Sequence, residues 1–185
     1  MVKVYYRDKE VSINQAKHLP FREEIFVSFD GGTTRISIHK DVNALKKAMD
    51  EGIFEFSYEP WSRTYMFTEF IQSNDEVSDD VMNFLVQKAK KLRIKLNIEA
   101  GLSLVRHPSV LKWLLKRGSK CKYIKGYGRS TMENFLFLKE MNNEFADELI
   151  ELVKEYGAVD NKYLKKYADE WNPSVIEAFL DKEMM

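Results

Sequence analysis

Basic residues are concentrated in one window of the chain, between Lys88 and Arg129. Thirteen of the 29 lysines and arginines fall there, and Glu99 is the only acidic residue among them. The window carries a net charge of +12, whereas residues 1–87 carry −5 and residues 133–185 carry −7. A field of this shape attracts polyanions to one region of the surface and repels them from the rest. The chemistry that this window predicts is phosphate binding.

A tryptophan stands among the cations of a short helix that is predicted over residues 108–117. Helical spacing gives this helix an apolar face, and Trp113 falls with Lys112 and Lys116 on the other side. A tryptophan beside cations can stack on nucleobases while the lysines hold phosphates, which is worth about 1–3 kcal/mol per base. The structural alternative is that Trp113 packs against the protein with lysine stems folded over it.

Glycines and tyrosines alternate with cations in the segment 120–129. Gly126 and Gly128 let the backbone approach a ligand, and Ser130 begins a capping-box sequence that opens the next helix. Free amides at a helix N-terminus bind phosphate, so the segment is a candidate phosphate loop. It lacks the Gly-Lys-Ser/Thr ending of a Walker loop. An ordinary connector that contains glycine explains the same residues.

Together these features predict phosphate-led binding of RNA or single-stranded DNA. No helix shows Asn, Gln or Arg at positions that would read a major groove, which disfavours sequence-specific duplex recognition. The cations at 88–95 have a second explanation, since lysines at the end of a helix complement its macrodipole. The predicted nucleic-acid-binding residues are Lys88, Lys91, Lys112, Trp113, Lys116, Arg117, Lys120, Lys122, Tyr123, Lys125, Tyr127 and Arg129.

Residues that could carry catalysis or hold a metal are sparse. The three histidines are scattered, and the single cysteine, Cys121, cannot build a zinc site. We therefore expect neither a metal nor another cofactor. His107 is the one catalytic candidate, because it lies in the basic window and could act as a general acid or base on a ribose hydroxyl. Capping of the following helix is the structural explanation of His107.

The segment Phe29–Arg35, with the sequence FDGGTTR, resembles the first phosphate-binding hairpin of actin-like ATPases and sugar kinases. The resemblance covers seven residues. It implies a second, similar phosphate loop, and the sequence contains none downstream. Two glycines between alternating apolar and polar runs predict a tight β-hairpin, since glycine adopts positive φ at low cost. We therefore interpret the segment as a turn.

The elements that must position these residues form an α+β fold, with an N-terminal antiparallel sheet and one helix followed by a helix-rich C-terminal half. The sheet region is predicted over residues 1–72 and the mainly helical region over residues 79–185, either as two parts or as one compact domain. The acidic segment 73–80 is the predicted boundary. The predicted strands are 2–6, 11–13, 24–29, 34–38, 53–58 and 64–71, and the helix of this half is 41–49.

The second half contains the longest predicted helix, residues 131–156. Its near-heptad apolar stripe is interrupted by Asn142 and consists of Leu138, Phe145, Leu149, Leu152 and Tyr156. Such a stripe packs on the protein's own core or forms a homodimer seam, where a buried asparagine fixes the register. The other predicted elements are helices 79–92, 108–117, 160–170 and 173–183 and extended pieces at 93–98 and 120–125.

The composition is that of a globular protein, with 44% hydrophobic and 13% aromatic residues. No apolar run approaches the length of about 18 residues that a membrane span needs, and the first residues lack the apolar core of a signal peptide. We therefore expect no membrane association. A single cysteine cannot form an internal disulfide, which favours a reducing compartment. We expect the protein to be cytoplasmic.

Three functions agree with these observations. The first is a small cytoplasmic protein that binds nucleic acid or a nucleoprotein complex through the basic and aromatic window. The second is a protein–protein inhibitor or adaptor, of phage or mobile-element type, that acts on a host nucleic-acid machine. The third is a metal-independent ribonuclease that uses His107. The scarcity of catalytic residues favours binding over an enzymatic role.

Overall fold

The computed structural model describes residues 2–56, 65–96, 98, 102–120 and 131–158. Contacts between Cα atoms divide the chain into two compact units, residues 1–96 and 97–185. The first unit contains a four-stranded antiparallel sheet and several helices, and the described part of the second contains helices and no strand. The predicted α+β class with an N-terminal antiparallel sheet is confirmed.

The sheet of the first unit has the strand order β2 (Lys9–Val11), β1 (Lys3–Tyr6), β3 (Ile25–Ser28), β4 (Ile36–Ser37). Each strand is antiparallel to its neighbours. Val4 pairs with Val27 across β1 and β3, and Val27 pairs with Ile36 of β4. Because side chains alternate between the faces of a strand, this register places both valines on one face, where they are fully buried. The other described elements of this unit are α1 (Ile13–Ala16), α2 (Val42–Asp50), α3 (Tyr65–Ile71) and α4 (Asp79–Lys91).

Strands β3 and β4 form the predicted hairpin, but their connection, residues 29–35, is seven residues long and therefore longer than the tight turn that the paired glycines predict. Gly31 and Gly32 have φ values of 81° and 111°, in the region that favours glycine. The Asp30 carboxylate closes the turn, because its Oδ1 accepts hydrogen bonds from the backbone amides of Thr33 and Thr34, both at 3.0 Å. The prediction of a hairpin is confirmed.

Asp30 is the charged group of this turn. The Ser28 hydroxyl donates a hydrogen bond to its Oδ1 at 2.6 Å. This bond, with those from the backbone of the turn, holds the pKa of Asp30 well below its ordinary value. In a phosphate-binding hairpin, backbone amides of the turn donate to the anion. In this protein they donate to the Asp30 carboxylate instead.

Residues 65–71 form helix α3, where the sequence predicts a strand over 64–71. Aromatic and β-branched residues favour a strand by propensity. The buried apolar residues of the segment, however, recur at the spacing of a helix face: Met66, Phe67, Phe70 and Ile71. Packing of this face in the core outweighs the propensity, so the strand prediction is wrong.

Two other predicted strands do not form in the residues that the structure describes. Residues 53–56 belong to no regular element, and positions 57 and 58 lie outside the described residues. Residues 93–96 also form no strand, and Arg93, with a φ of 56°, takes the left-handed conformation that ends α4. The short helix α1, which the sequence analysis did not predict, begins at a capping box of Ser12 and Gln15.

The acidic segment 73–80 lies within the first unit rather than between units. The Asn74 amide donates to the Arg22 carbonyl at 2.8 Å, and the Ser78 amide donates to the His39 carbonyl at 3.0 Å. These bonds attach the start of α4 to the residues that flank β3 and β4. The boundary between the two units lies after residue 96, whereas the composition of the acidic segment predicts a boundary before residue 79.

The described part of the second unit is built around helices α5 (Pro108–Leu115), α6 (Thr131–Glu140) and α7 (Ala146–Glu155). Helix α5 begins as predicted, with His107 as its N-cap, and Gly118 follows its end with a φ of 77°. Helix α7 packs against α5 and α6, and the core residues Leu111, Phe135 and Leu149 are fully buried. The described part also contains a 3₁₀ turn (Leu102–Leu104).

The predicted helix 131–156 is divided into α6 and α7. Asn142 has a φ of 54°, and residues 141–145 connect the two helices. Asparagine tolerates the left-handed conformation better than most residues, so it ends α6. Leu138 and Leu149 of the predicted stripe are buried inside the unit. The prediction of one continuous helix over residues 131–156 is therefore wrong, and the homodimer seam stays a prediction.

Several predicted features lie outside the described residues: Ser130 of the capping box, helices 160–170 and 173–183, and positions 121–125 of the second extended piece. Within the part of the chain that the structure describes, no helix is both long enough and apolar enough to span a bilayer.

Replacing Gly32 with alanine will destabilise the protein more than replacing Gly31. A Cβ at Gly32 would lie 2.7 Å from the Tyr5 hydroxyl, whereas a Cβ at Gly31 would meet no atom within 4 Å. Backbone strain at positive φ costs about 1–3 kcal/mol, and the steric conflict at Gly32 adds to that cost. Free energies of unfolding in urea for Gly31→Ala and Gly32→Ala measure the difference. Equal losses would contradict the close approach of Tyr5.

His39 is a buried, neutral histidine of the first unit. Its side chain is 0% exposed, its ring lies 4.6 Å from that of Phe70, and Nε2 donates to the Phe21 carbonyl oxygen at 3.0 Å. Nδ1 finds no hydrogen-bond partner among the described residues. Burial lowers the pKa of His39, against the smaller opposing effects of the Phe21 carbonyl, Asp75 and Glu24.

The free energy of unfolding will decrease as the pH falls below about 6.5, the ordinary pKa of histidine. The unfolded chain accepts a proton that folded His39 resists, so each pH unit below that value costs up to about 1.4 kcal/mol. His39→Gln keeps an N–H donor for Phe21 and does not titrate. Urea titrations at pH 7 and pH 5 should show a larger loss for the wild type than for this variant. The same loss in both proteins would exclude His39 as the responsible group.

Candidate polyanion-binding cleft

Helices α2 and α4 of the first unit border a cleft with a volume of about 280 Å³. The cleft is lined by three lysines, one aspartate, one glutamine and one phenylalanine: Lys46, Lys88, Lys91, Asp50, Gln87 and Phe84. Lysines hold phosphate groups, and an aromatic ring stacks on a base. The cleft therefore combines the two kinds of group that the sequence predicts for nucleic-acid binding.

Helix α4 buries one face in the core, and the neighbouring face consequently lines the cleft. Val81, Leu85 and Ala89 are at most 1% exposed. Residues that follow one another at intervals of three or four share a helix face, because an α-helix has 3.6 residues per turn. The stripe that lines the cleft follows this spacing and consists of Phe84, Gln87, Lys88 and Lys91.

Helix α2 provides the second wall. Asp41 caps its N-terminus by accepting hydrogen bonds from two backbone amides of the first turn. Leu45 and Ala48 are buried, so the opposite residues of the helix face outward. Lys46 and Asp50, one turn apart, line the cleft and are exposed.

The cleft has an excess of positive charge. Among the described residues, no carboxylate forms an ion pair with Lys46, Lys88 or Lys91. The Nζ atom of Lys46 lies 5.5 Å from the centroid of the Phe84 ring, within the range of a cation–π contact. Asp50 is the one anionic group of the lining. The lining therefore carries a net charge of +2, from three lysines and one aspartate.

The lining residues offer polar and aromatic groups to a ligand. The polar groups of the lining are the ammonium groups of three lysines, the Asp50 carboxylate and the Gln87 amide, which can all form hydrogen bonds or ionic contacts with a ligand. The cleft can hold phosphate oxygens and contact a planar ring.

The predicted site residues are distributed over both units. Lys88 and Lys91 lie in the cleft of the first unit. The described residues of the second unit include Lys112, Trp113, Lys116, Arg117 and Lys120. The remaining predicted residues lie outside the described part of the chain: Lys122, Tyr123, Lys125, Tyr127 and Arg129.

Lys112 is engaged in an ion pair within the second unit. Its Nζ lies 3.1 Å from Oε1 of Glu148 on α7, and both side chains are about half exposed. An exposed pair of this kind contributes at most about 1 kcal/mol, so a phosphate can replace the carboxylate. Lys112 must give up this partner before it binds, which makes it a weaker candidate than the lysines of the cleft.

Trp113 is a core residue, and the prediction that it offers a stacking surface is wrong. Its side chain is 2% exposed. The Arg117 guanidinium lies over the ring, 4.3 Å from its centroid. Six of the eight residues of α5 are buried, so the helix has no broad exposed face. A nucleobase has no access to the ring in this structure.

His107 is the N-cap of α5. Its Nδ1 accepts a hydrogen bond from the Ser109 amide at 3.2 Å and lies 2.9 Å from the Ser109 hydroxyl. Its ring packs edge-on against Phe145 at 4.5 Å. The structural explanation of His107 is confirmed. In the described ranges of the chain, no three His, Cys, Asp or Glu side chains are grouped as metal ligands.

Lys46 and Phe84 belong to the cleft and were missed by sequence reasoning. Lys46 lies outside the basic window, and folding alone brings α2 beside α4. Phe84 precedes Lys88 by four residues and Lys91 by seven. This spacing places an aromatic ring and two cations on one helix face, and it was a usable signal.

Comparisons of the chain with protein-family models, with curated proteins and with solved structures found no match.

Proposed function

We propose that this protein binds nucleic acid, either RNA or single-stranded DNA, through contacts that begin with the phosphates. The observation that carries the proposal is the cleft of α2 and α4, where three lysines and a phenylalanine are grouped with one aspartate. Lysines that neutralise phosphates release condensed counterions, which supplies most of the affinity of non-specific binding. The proposed role is binding, alone or within a nucleoprotein complex.

Positive charge continues beyond the cleft, which favours a polymer over a single small anion. Residues 88–96 carry a charge of +5 and no carboxylate. Lys90, Arg93 and Lys95 are exposed and do not line the cleft. A small anion needs only the cleft, whereas successive phosphates of a strand can use this series of cations.

Charge is separated along α4. Asp79 and Asp80 lie in the first turn, and Lys88, Lys90 and Lys91 lie in the last. A helix of 13 residues is about 20 Å long, which exceeds the Debye length of about 8 Å at physiological ionic strength. The acidic end therefore does not cancel the attraction of phosphate to the basic end.

The alternative role as a protein–protein inhibitor or adaptor has less support. Docking on a basic partner would use the exposed carboxylates of α7. Three of them, Asp147, Glu148 and Glu151, already pair with lysines of the second unit. No observation favours the ribonuclease. The cytoplasm is our proposed location, because the lone cysteine of the chain cannot form an internal disulfide.

Neutralising the three lysines of the cleft will weaken binding of a single-stranded oligonucleotide. Loss of up to three phosphate contacts in Lys46→Gln/Lys88→Gln/Lys91→Gln should make the slope of log affinity against log salt less steep by about 2. Affinity at low salt should fall about tenfold or more, because each contact contributes to binding. Fluorescence anisotropy of a labelled oligonucleotide at several salt concentrations measures both quantities.

The matched control is Lys9→Gln/Lys17→Gln/Lys47→Gln, which removes the same charge from exposed positions outside the cleft and the basic window. An equal loss of affinity in both triple variants would show that net charge, and not the cleft, determines binding. Asp50→Asn should tighten binding, because it removes the carboxylate that repels phosphate. Absence of salt-dependent binding of the wild type to RNA and to single-stranded DNA would overturn the proposed function.

A further inference from the structure

We infer, building on the function proposed above, that Phe84 stacks on one unpaired base of the bound strand while the surrounding lysines hold its phosphates. The ligand of the cleft is then single-stranded nucleic acid and not a duplex. Phe84 takes the stacking role that the sequence assigned to Trp113, whose ring is buried.

Phe84 differs in its surroundings from the core phenylalanines of the first unit. Phe54, Phe67 and Phe70 are at most 2% exposed. Phe84 is partly exposed and lines the cleft. A ring that remains partly in contact with water gains less from the hydrophobic effect than a fully buried ring, and its exposed part is accessible to a ligand of the cleft.

The size of the cleft suits one ring rather than a whole ligand. Its volume of about 280 Å³ lies just below the range of about 300–1,000 Å³ that holds drug-sized molecules. A strand would therefore insert a single base and leave its backbone on the surface. The exposed cations that follow α4, Arg93 and Lys95, are available to that backbone.

Cations border the ring from both helices. Lys88 and Lys91 lie about 6 Å and 10 Å farther along α4 than Phe84, as the rise per residue requires. Lys46 of α2 approaches the ring itself, with its Nζ 5.5 Å from the centroid. A base that stacks on the ring would move Lys46 onto the adjacent phosphate, where an ionic hydrogen bond replaces the cation–π contact.

A duplex does not provide the same contact. Paired bases stack on one another and present only their edges in the grooves. An unpaired base presents its face, which stacks on an aromatic ring with little dependence on the identity of the base. We therefore expect a preference for single strands and a weak preference among sequences.

The test compares Phe84→Leu with the wild type on two labelled strands of equal length. One is a single-stranded oligonucleotide, and the other is an abasic strand that carries the same phosphates without bases. Leucine keeps an apolar side chain and removes the ring. The matched control is Phe29→Leu, because Lys47 lies 4.1 Å over the Phe29 ring and Phe29 does not line the cleft. Circular dichroism and the free energy of unfolding check that each variant folds.

Phe84→Leu should weaken binding of the oligonucleotide by about fivefold to a hundredfold and leave binding of the abasic strand unchanged. Phe29→Leu should change neither affinity, and a duplex with the same number of phosphates should bind wild type and Phe84→Leu alike. An equal loss on both strands, or no loss on either, would overturn the stacking role and leave phosphate-led binding intact. Failure of the wild type to bind either strand would instead overturn the proposed function.

Discussion

Burial of the apolar face of α4 is the constraint on which the candidate site depends. Val81, Leu85 and Ala89 are removed from water, and burial of a side chain such as valine or leucine stabilises the fold by about 1.5–3 kcal/mol. Successive residues of a helix are rotated by about 100°, so the position of the buried face determines the direction of Phe84 and Lys88. The ring and the cations line the cleft because the core leaves that side of the helix outside it.

The cations of the basic window differ in whether a carboxylate forms an ion pair with them. In the second unit, Lys112 lies in an ion pair with Glu148. In the first unit, the lysines of the cleft have Asp50 as the one acidic residue of the lining. The net charge of a sequence window does not separate these cases, because a salt bridge depends on which helices pack together. Among the residues that the structure describes, the cleft lysines of the first unit are therefore stronger candidates for phosphate binding than Lys112.

Helices that begin after a recognisable N-capping residue were predictable from the sequence. Asp41 caps the N-terminus of α2 and His107 caps that of α5, each through a side-chain atom that accepts hydrogen bonds from backbone amides. Prediction failed where a contact distant in the chain decides the conformation. Residues 65–71 have strand-forming side chains and become helical because one face packs in the core. Residue Asn142 ends a helix whose apolar stripe runs past it in the sequence.

Residue types and short-range spacing were sufficient to predict the α+β class and the hairpin of β3 and β4. They also showed where positive charge is concentrated along the chain. Each of these depends on neighbours within a few positions. Packing between elements settled that Lys46 joins Lys88 and Lys91, and that Trp113 is buried. The exposure of a side chain and the identity of its charged neighbours are properties of the folded core, since they arise only when segments distant in the chain exclude water together.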